Sequence, residues 1–573
     1  MNIKINKHEW LEYLGVIALW LLIFGKNVFS NLLFVDYVPV SAGHLGRTLV
    51  TSNFTSSISV ISLLRELFGI IGIERVFFSF TILFAMLVSY YYISRLIEGK
   101  RRMLFALIFF FNPFVYTRIM IGQLGIIVAY LLVPMFLVYL FELFDKALEY
   151  RSVLKVVLVM TLIGAITPHF FVISFIMLLI GSFWFYFYKN NFDIRKYLKV
   201  IGVFVLLLLL SNLYWLQGTL AGGMLGEIDE EHEDFFAPKT NSRASAIVKV
   251  IGMWGFWREG AYKTAYNILP SIIWIGLIGV LASLLLFGYY RDDNKKAKFF
   301  YTLFWFGLIL GVGISHPYTG RIFDVLFQYM PFFNGLRDSH KFVAFIALAY
   351  AYFLPEAVVV ISEKASGWNK IAGRIIGVVI VLCFVALVLG LNPSMINLHG
   401  QVKNVEYPQS YQEVNTFFNS EEVSGKIIYL PWQGYLTYSW SKNVSSDGRI
   451  GAFINGIIDK GAISGPDEYG GNTGFRIEVS NCLNEKSKDC LKEEGVEYAM
   501  HDKCAYYSDD YPWLRTKENV FESECVDVYY IGGLSEKNRT PLRFILSVII
   551  STLTLLYIAF VLGNKQLRKR LEE

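Results

Sequence analysis

Apolar runs of about 20 residues recur along the whole 573-residue chain, and they constrain its fold more than any other feature. Each run is long enough to cross the roughly 30 Å hydrocarbon core of a bilayer as a helix that rises about 1.5 Å per residue. The runs are continuously apolar and do not alternate with polar residues, which excludes a membrane β-barrel. We therefore predict a polytopic helical membrane protein.

Twelve spans are predicted from these runs. They lie at 11–27, 76–96, 103–117, 124–144, 153–168, 170–187, 200–217, 269–288, 299–315, 342–362, 375–391 and 541–562. The first run resembles a signal sequence, but no small-residue cleavage site follows it, so we interpret it as an anchor.

The composition supports a membrane protein and excludes other classes. Hydrophobic residues make up 55% of the chain and charged residues only 17%, whereas soluble domains typically carry about 25% charged residues. The aromatic share of 17% excludes a disordered chain. The net charge of +5 is small for this length and gives no reason to expect nucleic acid as a partner. Membrane lipids are the expected surroundings.

Basic residues indicate the orientation of the spans. The segments on one side contain 24 Lys and Arg residues, whereas the loops on the other side up to residue 341 contain 12 over a greater total length. An excess of Lys and Arg marks the cytoplasmic side during insertion. We predict a multi-pass protein of the cell membrane with both termini in the cytoplasm.

The chain divides into three parts. Residues 1–391 form a membrane domain, residues 392–540 an extracytoplasmic domain, and residues 541–573 a last span with a basic cytoplasmic tail. The predicted fold is an all-α polytopic membrane domain of about 12 helices, followed by an α/β domain that the last transmembrane helix closes.

The α/β assignment of the outer domain rests on short apolar patterns. Three segments are predicted as strands and one as a helix: Lys426–Pro431, Val496–Ala499 and Val526–Ile531 as strands, and Gln409–Asn419 as the helix. The glycine-rich stretch Ile450–Gly474 is typical of a loop with turns.

Four of the five cysteines lie in this outer domain, namely Cys482, Cys490, Cys504 and Cys525. An oxidising compartment permits two disulfides there, although four cysteines allow three pairings. The 7, 13 and 20 intervening residues lack the close pairs that zinc sites usually show, which makes a metal site the weaker alternative.

Asp36 is a candidate catalytic group in the first outer loop, just beyond the first span. Ionisable groups that lie at membrane depth or in structured outer loops are costly to keep, so they are the first place to look for function. The alternative interpretation of Asp36 is a helix cap or a carboxylate that reaches toward the interface.

Two further outer segments combine proline with polar groups. Asn112-Pro113 interrupts the third span and is followed by Arg118 and Gln123. Proline breaks a helix, and a guanidinium offers five donors that suit a phosphate, although Arg118 could instead reach only to the interface. His169 follows Thr167-Pro168 at the next interruption and is either a turn residue or a contributor to a site.

The outer loop at 218–268 contains seven ionisable groups within Glu227–Asp234. Such a run is usually a solvated surface, but Asp229, Glu231 and Asp234 could bind a divalent cation, Mg²⁺ or Mn²⁺, through carboxylate oxygens. No cofactor is certain from the sequence. Arg258 follows in an aromatic-rich stretch that suits either sugar stacking or a membrane-interface belt.

The last loop before the tenth span ends in Arg337-Asp338-Ser339-His340-Lys341. A lipid-linked phosphate lies at headgroup depth, where Arg337 and Lys341 are well placed to pair with it, and Asp338 and His340 could contribute. Ordinary anchoring at the interface is the alternative.

These segments resemble the C-type (GT-C) glycosyltransferases, integral membrane enzymes that use polyprenyl-phosphate-linked sugars. The stretches NPFVYTRIMIGQ, TPHFF and NGLRDSHKF are more particularly similar to the branch with the actinobacterial cell-wall arabinofuranosyltransferases. In that branch a segment F-R-x-x-x-K-F precedes a late span, and Leu336–Phe342 takes its place here, with Leu in front of Arg337. The resemblance covers roughly residues 1–390.

The resemblance implies a catalytic base at Asp36 that takes a proton from the acceptor hydroxyl while polyprenyl phosphate leaves. Arg118, Arg337 and Lys341 would then offset the charge that grows on the phosphate. Many such enzymes present paired acids in this loop, whereas Asp36 has no acidic neighbour. A need for metal therefore stays open.

The acceptor implied by the resemblance is a glycan, a lipid or a protein. Trp432 and Tyr435 of the outer domain could stack on it, or they could form the core of that domain. The alternative function is a non-catalytic transporter or flippase of lipid-linked glycans. Transporters usually carry mid-membrane charges and repeated halves, whereas these spans are nearly free of mid-membrane charge and no halves correspond, which favours the enzyme.

Overall fold

The structure is a computed structural model of the chain. It describes the following residues: 7–37, 64, 68, 74–146, 148–187, 193–221, 234–241, 244–292, 294–330, 333–366, 372–441, 449–451, 457–466, 474–506, 511–514, 519–534 and 542–564.

Helices make up the described part of the membrane domain. Those up to the outer loop at 218–268 are α1 (Lys7–Phe24), α2 (Phe77–Leu96), α3 (Arg101–Phe110), α4 (Pro113–Ile121), α5 (Leu124–Leu131), α6 (Val133–Asp145), α7 (Tyr150–Ile166), α8 (Pro168–Gly181) and α9 (Ile194–Ala221). They continue as α10 (Ala246–Ile251), α11 (Ala265–Ile268), α12 (Ser271–Arg291), α13 (Lys295–Val312), α14 (Pro317–Tyr329), α15 (Val343–Ser366) and α16 (Ala372–Leu391). A π-helical turn, Ser182–Phe187, extends α8.

The Asn112-Pro113 break is built as the sequence predicts. Asn112 caps α4 by accepting a hydrogen bond from the amide of Val115, and Pro113 occupies the first turn, where its missing N–H costs nothing. The Asn112 amide also donates to the carbonyl oxygens of Ile108 and Phe109, which the proline frees at the end of α3. The Asn112 side chain therefore pairs both of these carbonyl oxygens, and α3 and α4 together form one span.

Eleven helical segments within the described residues are long and apolar enough to cross a membrane. The predicted span at 153–168 is absent from that set because α7 has 17 residues, or about 25 Å. Lys155, near the start of α7, pairs with Glu142 at the end of α6, whereas the residues just after α7 lie beside Arg118 and Lys341. We therefore interpret α7 as a twelfth, shorter crossing.

The centre of the membrane domain is α15. Its residues from Val343 to Leu354 are buried on nearly every side, between α12, α13, α16 and α3. Burial on nearly every side makes α15 an interior helix of the bundle. The short 3₁₀ turn Ser339–Phe342 leads directly into α15, so the predicted phosphate-binding segment is joined to this buried helix.

The outer domain is an α/β unit, as predicted. Its main sheet has the order β1 (Lys426–Leu430), β4 (Val496–Asp502), β6 (Val526–Tyr530), β5 (Asn519–Glu522), with β1 and β4 parallel and the other pairs antiparallel. A separate hairpin consists of β2 (Tyr435–Thr437) and β3 (Arg449–Gly451). The helices are α17 (Ser410–Ser420), α18 (Gly474–Asn484) and α19 (Lys488–Glu493).

The three predicted strands and the predicted helix match β1, β4, β6 and α17 within a few residues. The sequence analysis missed β2, β3, β5, α18 and α19, and two of the three residues of β3 fall inside the stretch that was predicted to be a loop. Two disulfides form, Cys482–Cys490 and Cys504–Cys525, which selects one of the three pairings that the sequence allowed.

The last span, α20 (Leu542–Gly563), returns to the membrane domain and packs along α9. Ser551 supplies the polar contact of this pair, because its hydroxyl donates to the carbonyl oxygen of Leu210 and accepts from the amide of Tyr214. The outer domain is thus attached at both of its ends to the membrane domain.

Candidate functional site

Asp36 lies in a tight turn that two flanking residues close. Phe34 and Tyr37 exchange backbone hydrogen bonds of 2.9 and 3.2 Å across the turn. The amide of Asp36 donates to the carbonyl oxygen of Ile121 at 2.8 Å, which fixes the turn against the end of α4. Gly122 allows this close approach, because its φ is +86° and an added Cβ would meet the Cβ of Phe34 at 2.6 Å.

The carboxylate of Asp36 has two side-chain donors. Gln123 Nε2 donates to Oδ2 at 3.0 Å, and the hydroxyl of Tyr435 donates to Oδ1 at 3.4 Å. One face of Asp36 is open to solvent, while protein atoms around its other faces desolvate it and raise its pKa. The Gln123 hydrogen bond, the charge of Arg258 and the Tyr435 hydrogen bond lower the pKa and offset part of this effect. A carboxylate with a raised pKa and an open face is suited to act as a base.

A chain of hydrogen bonds connects Asp36 to the segment before α15. Gln123 accepts at Oε1 from Arg118 Nη1 at 2.7 Å, and the same Nη1 donates to Asp338 Oδ2 at 2.6 Å. Arg118 Nη2 lies 3.1 Å from Nδ1 of His340. Three stretches that are far apart in the sequence therefore meet in one network.

Arg118 does not have the position expected of a direct phosphate ligand. Its side chain has no exposed surface, and both terminal nitrogens are already bonded within the protein. The guanidinium lies 4.6 Å from the ring centroid of Phe256, so an aromatic face covers it. Burial opposes ionisation of its partner Asp338, yet the charges of Arg118 and Lys341 lower the pKa of the Asp338 carboxyl to about 2. The structure gives Arg118 the role of a buried organiser.

Lys341 is the cation that this network leaves available. Its residue is 5% exposed, and its ammonium forms no hydrogen bond or ion pair with the part of the chain that the structure describes. It interacts electrostatically with Asp338, Arg118, Arg337 and, more weakly, Asp36. Arg337 is half-buried, with its guanidinium 5.0 Å from the ring centroid of Phe236.

The two predicted histidines have different surroundings. His340 is fully buried, with its ring 5.5 Å from that of Phe114 and its Nε2 3.3 Å from the carbonyl oxygen of Met253. His169 lies in the first turn of α8 and interacts electrostatically with Lys341 and Arg118. Both lie in the same neighbourhood, so His169 is more than an isolated turn residue.

The segment from Met253 to Glu259 forms a wall of the site, and the sequence analysis selected Arg258 from it but not Phe256. Phe256 covers Arg118, and Arg258, which is 9% exposed, acts electrostatically on Asp36. The sequence signal for this segment was weak, because aromatic residues near a span end are common in membrane proteins.

The outer domain reaches the site through its hairpin. The amide of Gly451 donates to the carbonyl oxygen of Val35 at 2.8 Å, and Tyr435 in β2 contacts Asp36. Trp432 packs instead within the outer domain and donates from Nε1 to Ser480. The two predicted acceptor residues are therefore separated, and only Tyr435 contacts Asp36.

Of the three predicted metal ligands, the structure describes only Asp234. Asp229 and Glu231 lie outside the described residues, and Asp234 pairs with Lys239 at 3.3 Å. The described residues contain no group of three or more side chains of the types His, Cys, Asp and Glu that could hold a metal ion. The need for a divalent cation stays a prediction.

Comparison with protein families matches residues 73–448 to the family described as "Alpha-(1->3)-arabinofuranosyltransferase, N-terminal GT-C domain". The chain belongs to this GT-C family. The match contains Gln123, Arg118 and the Asp338 segment, and it begins after Asp36. Comparison with curated proteins found no match.

Two solved structures are similar to this chain. The cryo-EM structure of the arabinofuranosyltransferase AftD from Mycobacteria superposes with a TM-score of 0.56 at 12% identity, over 94% of this chain and 42% of that one. The Archaeoglobus fulgidus oligosaccharyltransferase gives a TM-score of 0.41 at 12% identity, over 86% of this chain and 67% of that one. This GT-C protein thus spans less than half the length of AftD, and the likeness to AftD concerns the fold.

Proposed function

We propose that this GT-C protein is a membrane glycosyltransferase that moves a sugar from a polyprenyl-phosphate donor to an extracytoplasmic acceptor. The observation that carries the proposal is the side-chain network from Asp36 through Gln123 and Arg118 to Asp338. It joins an open carboxylate to a segment that ends in Lys341, whose ammonium pairs with none of the described residues. The family's name suggests arabinofuranose as the sugar and a glycan as the acceptor.

Asp36 would act as the general base. As the acceptor oxygen attacks C1 of the sugar, Asp36 takes the hydroxyl proton, the C1–O bond to phosphate breaks, and its electron pair leaves with polyprenyl phosphate. A single displacement of this kind inverts the configuration at C1. Tyr435 donates to Oδ1 and Gln123 to Oδ2, and each oxygen keeps a further acceptor site for the hydroxyl of the acceptor.

Lys341 and Arg337 would bind the donor phosphate. An ammonium in a buried place gains most when an anion arrives, because no described group pairs with it beforehand. Arg118 would contribute indirectly, since it holds Asp338 and His340, which lie between Arg337 and Lys341. Preorganised cations of this type lower the barrier where charge develops on the leaving group.

The disulfides support the predicted orientation. Both bonds lie in the outer domain, and disulfides persist in oxidising compartments. An extracytoplasmic outer domain places Asp36 and Tyr435 at the outer surface of the membrane, where a lipid-linked donor exposes its sugar. Cytoplasmic N- and C-termini complete the topology.

A transfer assay with purified protein tests this function. Labelled polyprenyl-phosphate arabinofuranose and an arabinan oligosaccharide are the probes, and transfer of label to the oligosaccharide is the expected result. Lys341→Met and Arg337→Ala should each raise the donor KM tenfold or more, while Lys364→Met, which removes an exposed cation at the opposite end of α15, should leave the donor KM unchanged. Absence of transfer with this and other polyprenyl-phosphate sugars, or unchanged donor KM in both variants, would contradict the proposal.

A further inference from the structure

Lys249 and Glu259 form a buried ion pair outside the network just described. Lys249 is 3% exposed and Glu259 is 5% exposed, and Nζ lies 2.7 Å from Oε1. Neither residue belongs to a motif that the sequence analysis selected. Taking two charges out of water is costly, so a buried pair calls for a structural or functional reason.

The remaining polar atoms of the pair are also bonded. Lys249 Nζ donates to the carbonyl oxygen of Lys239 at 2.8 Å, and its ammonium lies 4.9 Å from the ring centroid of Tyr266. Glu259 Oε2 accepts from the amide of Gly255 at 2.8 Å. The pair therefore connects α10 to both ends of the short segment that runs from Gly255 to Glu259.

This segment carries the two groups that act on the site. Phe256 covers the guanidinium of Arg118, and Arg258 acts on Asp36. Gly255 has a φ of +112°, and an added Cβ would lie 3.2 Å from both Pro238 and Val250. The segment thus turns sharply within a confined space, and the carboxylate of Glu259 holds the amide at that turn.

We propose that the Lys249–Glu259 pair is a positioning unit for sugar transfer, which holds Phe256 against Arg118 and Arg258 beside Asp36. This inference rests on the proposed function, because it assigns Asp36 as the base. It adds two residues that touch neither donor nor acceptor and that act through the wall of the site.

The charges that face Asp36 set the sign of the expected effect. Arg258 comes from the segment itself, Arg118 from α4 and Lys341 from the turn before α15, and all three favour the ionised carboxylate. Gln123 and Tyr435 donate hydrogen bonds to the same carboxylate. If Arg258 moves away, Asp36 loses one favourable charge and its pKa increases.

A structure of Lys249→Met tests the inference without any substrate. Methionine keeps most of the side-chain volume and removes the charge, so Glu259 loses its partner. We expect Phe256 to leave its position 4.6 Å from Arg118 and Arg258 to turn away from Asp36. Unchanged positions of both side chains would overturn the inference, whatever the activity of the protein.

The pH profile of transfer gives the second test. In Glu259→Gln we expect the acidic limb of kcat/KM to move up by about 1 pH unit. The separate variant Lys249→Arg keeps the charge beside Glu259 and should therefore retain most of the wild-type profile. Glu142→Gln is the matched control, because it breaks the Glu142–Lys155 pair at the other end of the membrane domain. An unshifted limb in Glu259→Gln overturns the inference alone, whereas full activity of Asp36→Asn overturns the proposed function.

Discussion

Gln123 donates a hydrogen bond from Nε2 to Asp36 while its Oε1 accepts one from Arg118. One neutral amide therefore connects an open carboxylate to a fully buried guanidinium. The amide has a fixed orientation, because only one of its two ends can face each partner.

Gln123→Leu should leave Asp36 protonated up to a higher pH, and the protonated group cannot act as the base. The lost hydrogen bond favoured the ionised form, so the pKa of Asp36 increases and the acidic limb of kcat/KM moves to higher pH by about 1 unit. The measurement is the pH profile of transfer between pH 5 and 9. Gln412→Leu, on an exposed face of α17, serves as the control, and an unshifted limb in Gln123→Leu would show that Gln123 does not tune the base.

Gly122→Ala should separate Asp36 from the network. An added Cβ would meet Phe34 at 2.6 Å and the Cβ of Tyr37 at 2.8 Å, and alanine is strained at a φ of +86° by roughly 1–2 kcal/mol. We expect at least a tenfold loss of kcat and a lower melting temperature. Gly202→Ala is the control, because its Cβ meets nothing within 4 Å and alanine favours the helix. Equal activity of the two variants would contradict the placement of Asp36 by Gly122.

Arg118→Met should destabilise the protein because it leaves Asp338 buried and unpaired. Breaking one partner of a buried ion pair typically costs about 3–5 kcal/mol, whereas replacing both partners by apolar residues is often neutral. We therefore expect Arg118→Met/Asp338→Leu to melt at a higher temperature than Arg118→Met, with transfer lost in both. A double variant that is less stable than the single one would contradict the organising role of Arg118.

Asp502 gives the outer domain a pH-dependent stability. It accepts hydrogen bonds from the hydroxyls of Tyr411 and Tyr429 at 2.8 and 2.6 Å, and burial raises its pKa to about 6. The folded domain thus binds this proton more tightly than the unfolded chain does. Its stabilising contribution is complete below about pH 4 and is lost as the pH rises through 6, by up to about 3 kcal/mol.

The test of Asp502 compares melting temperatures at pH 4.5 and pH 7. Asp502→Asn should flatten the decrease between these values, because asparagine does not ionise. Asp489→Asn, at an exposed position of α19, should keep the wild-type decrease. Identical pH dependence in wild type and Asp502→Asn would show that Asp502 does not carry the effect.

Much of the site could be predicted because the loops on the outer side of the membrane contain few charged residues near the span ends. Asp36, Gln123 and Lys341 stood out in an apolar sequence, and the structure brings them into one neighbourhood. The Asn112-Pro113 break could also be predicted, since capping and the missing proline N–H are local effects.

The division of roles within the site could not be predicted. A sequence does not show which guanidinium is covered, and Arg118 is buried only because Phe256, some 140 residues later, lies over it. The Lys249–Glu259 pair could not be predicted for the same reason, because only the folded structure shows that both residues are buried. Trp432 and Tyr435 lie three residues apart, yet one packs inside the outer domain and the other reaches Asp36.

The catalytic assignment of Asp36 is the central claim, and Asp36→Asn in the purified protein tests it most directly. Asparagine keeps the shape and cannot take a proton, so we expect transfer from polyprenyl-phosphate sugar to fall by about 10²–10⁴-fold while donor affinity stays within a few-fold of wild type. Transfer by Asp36→Asn within a few-fold of the wild-type rate would contradict the account.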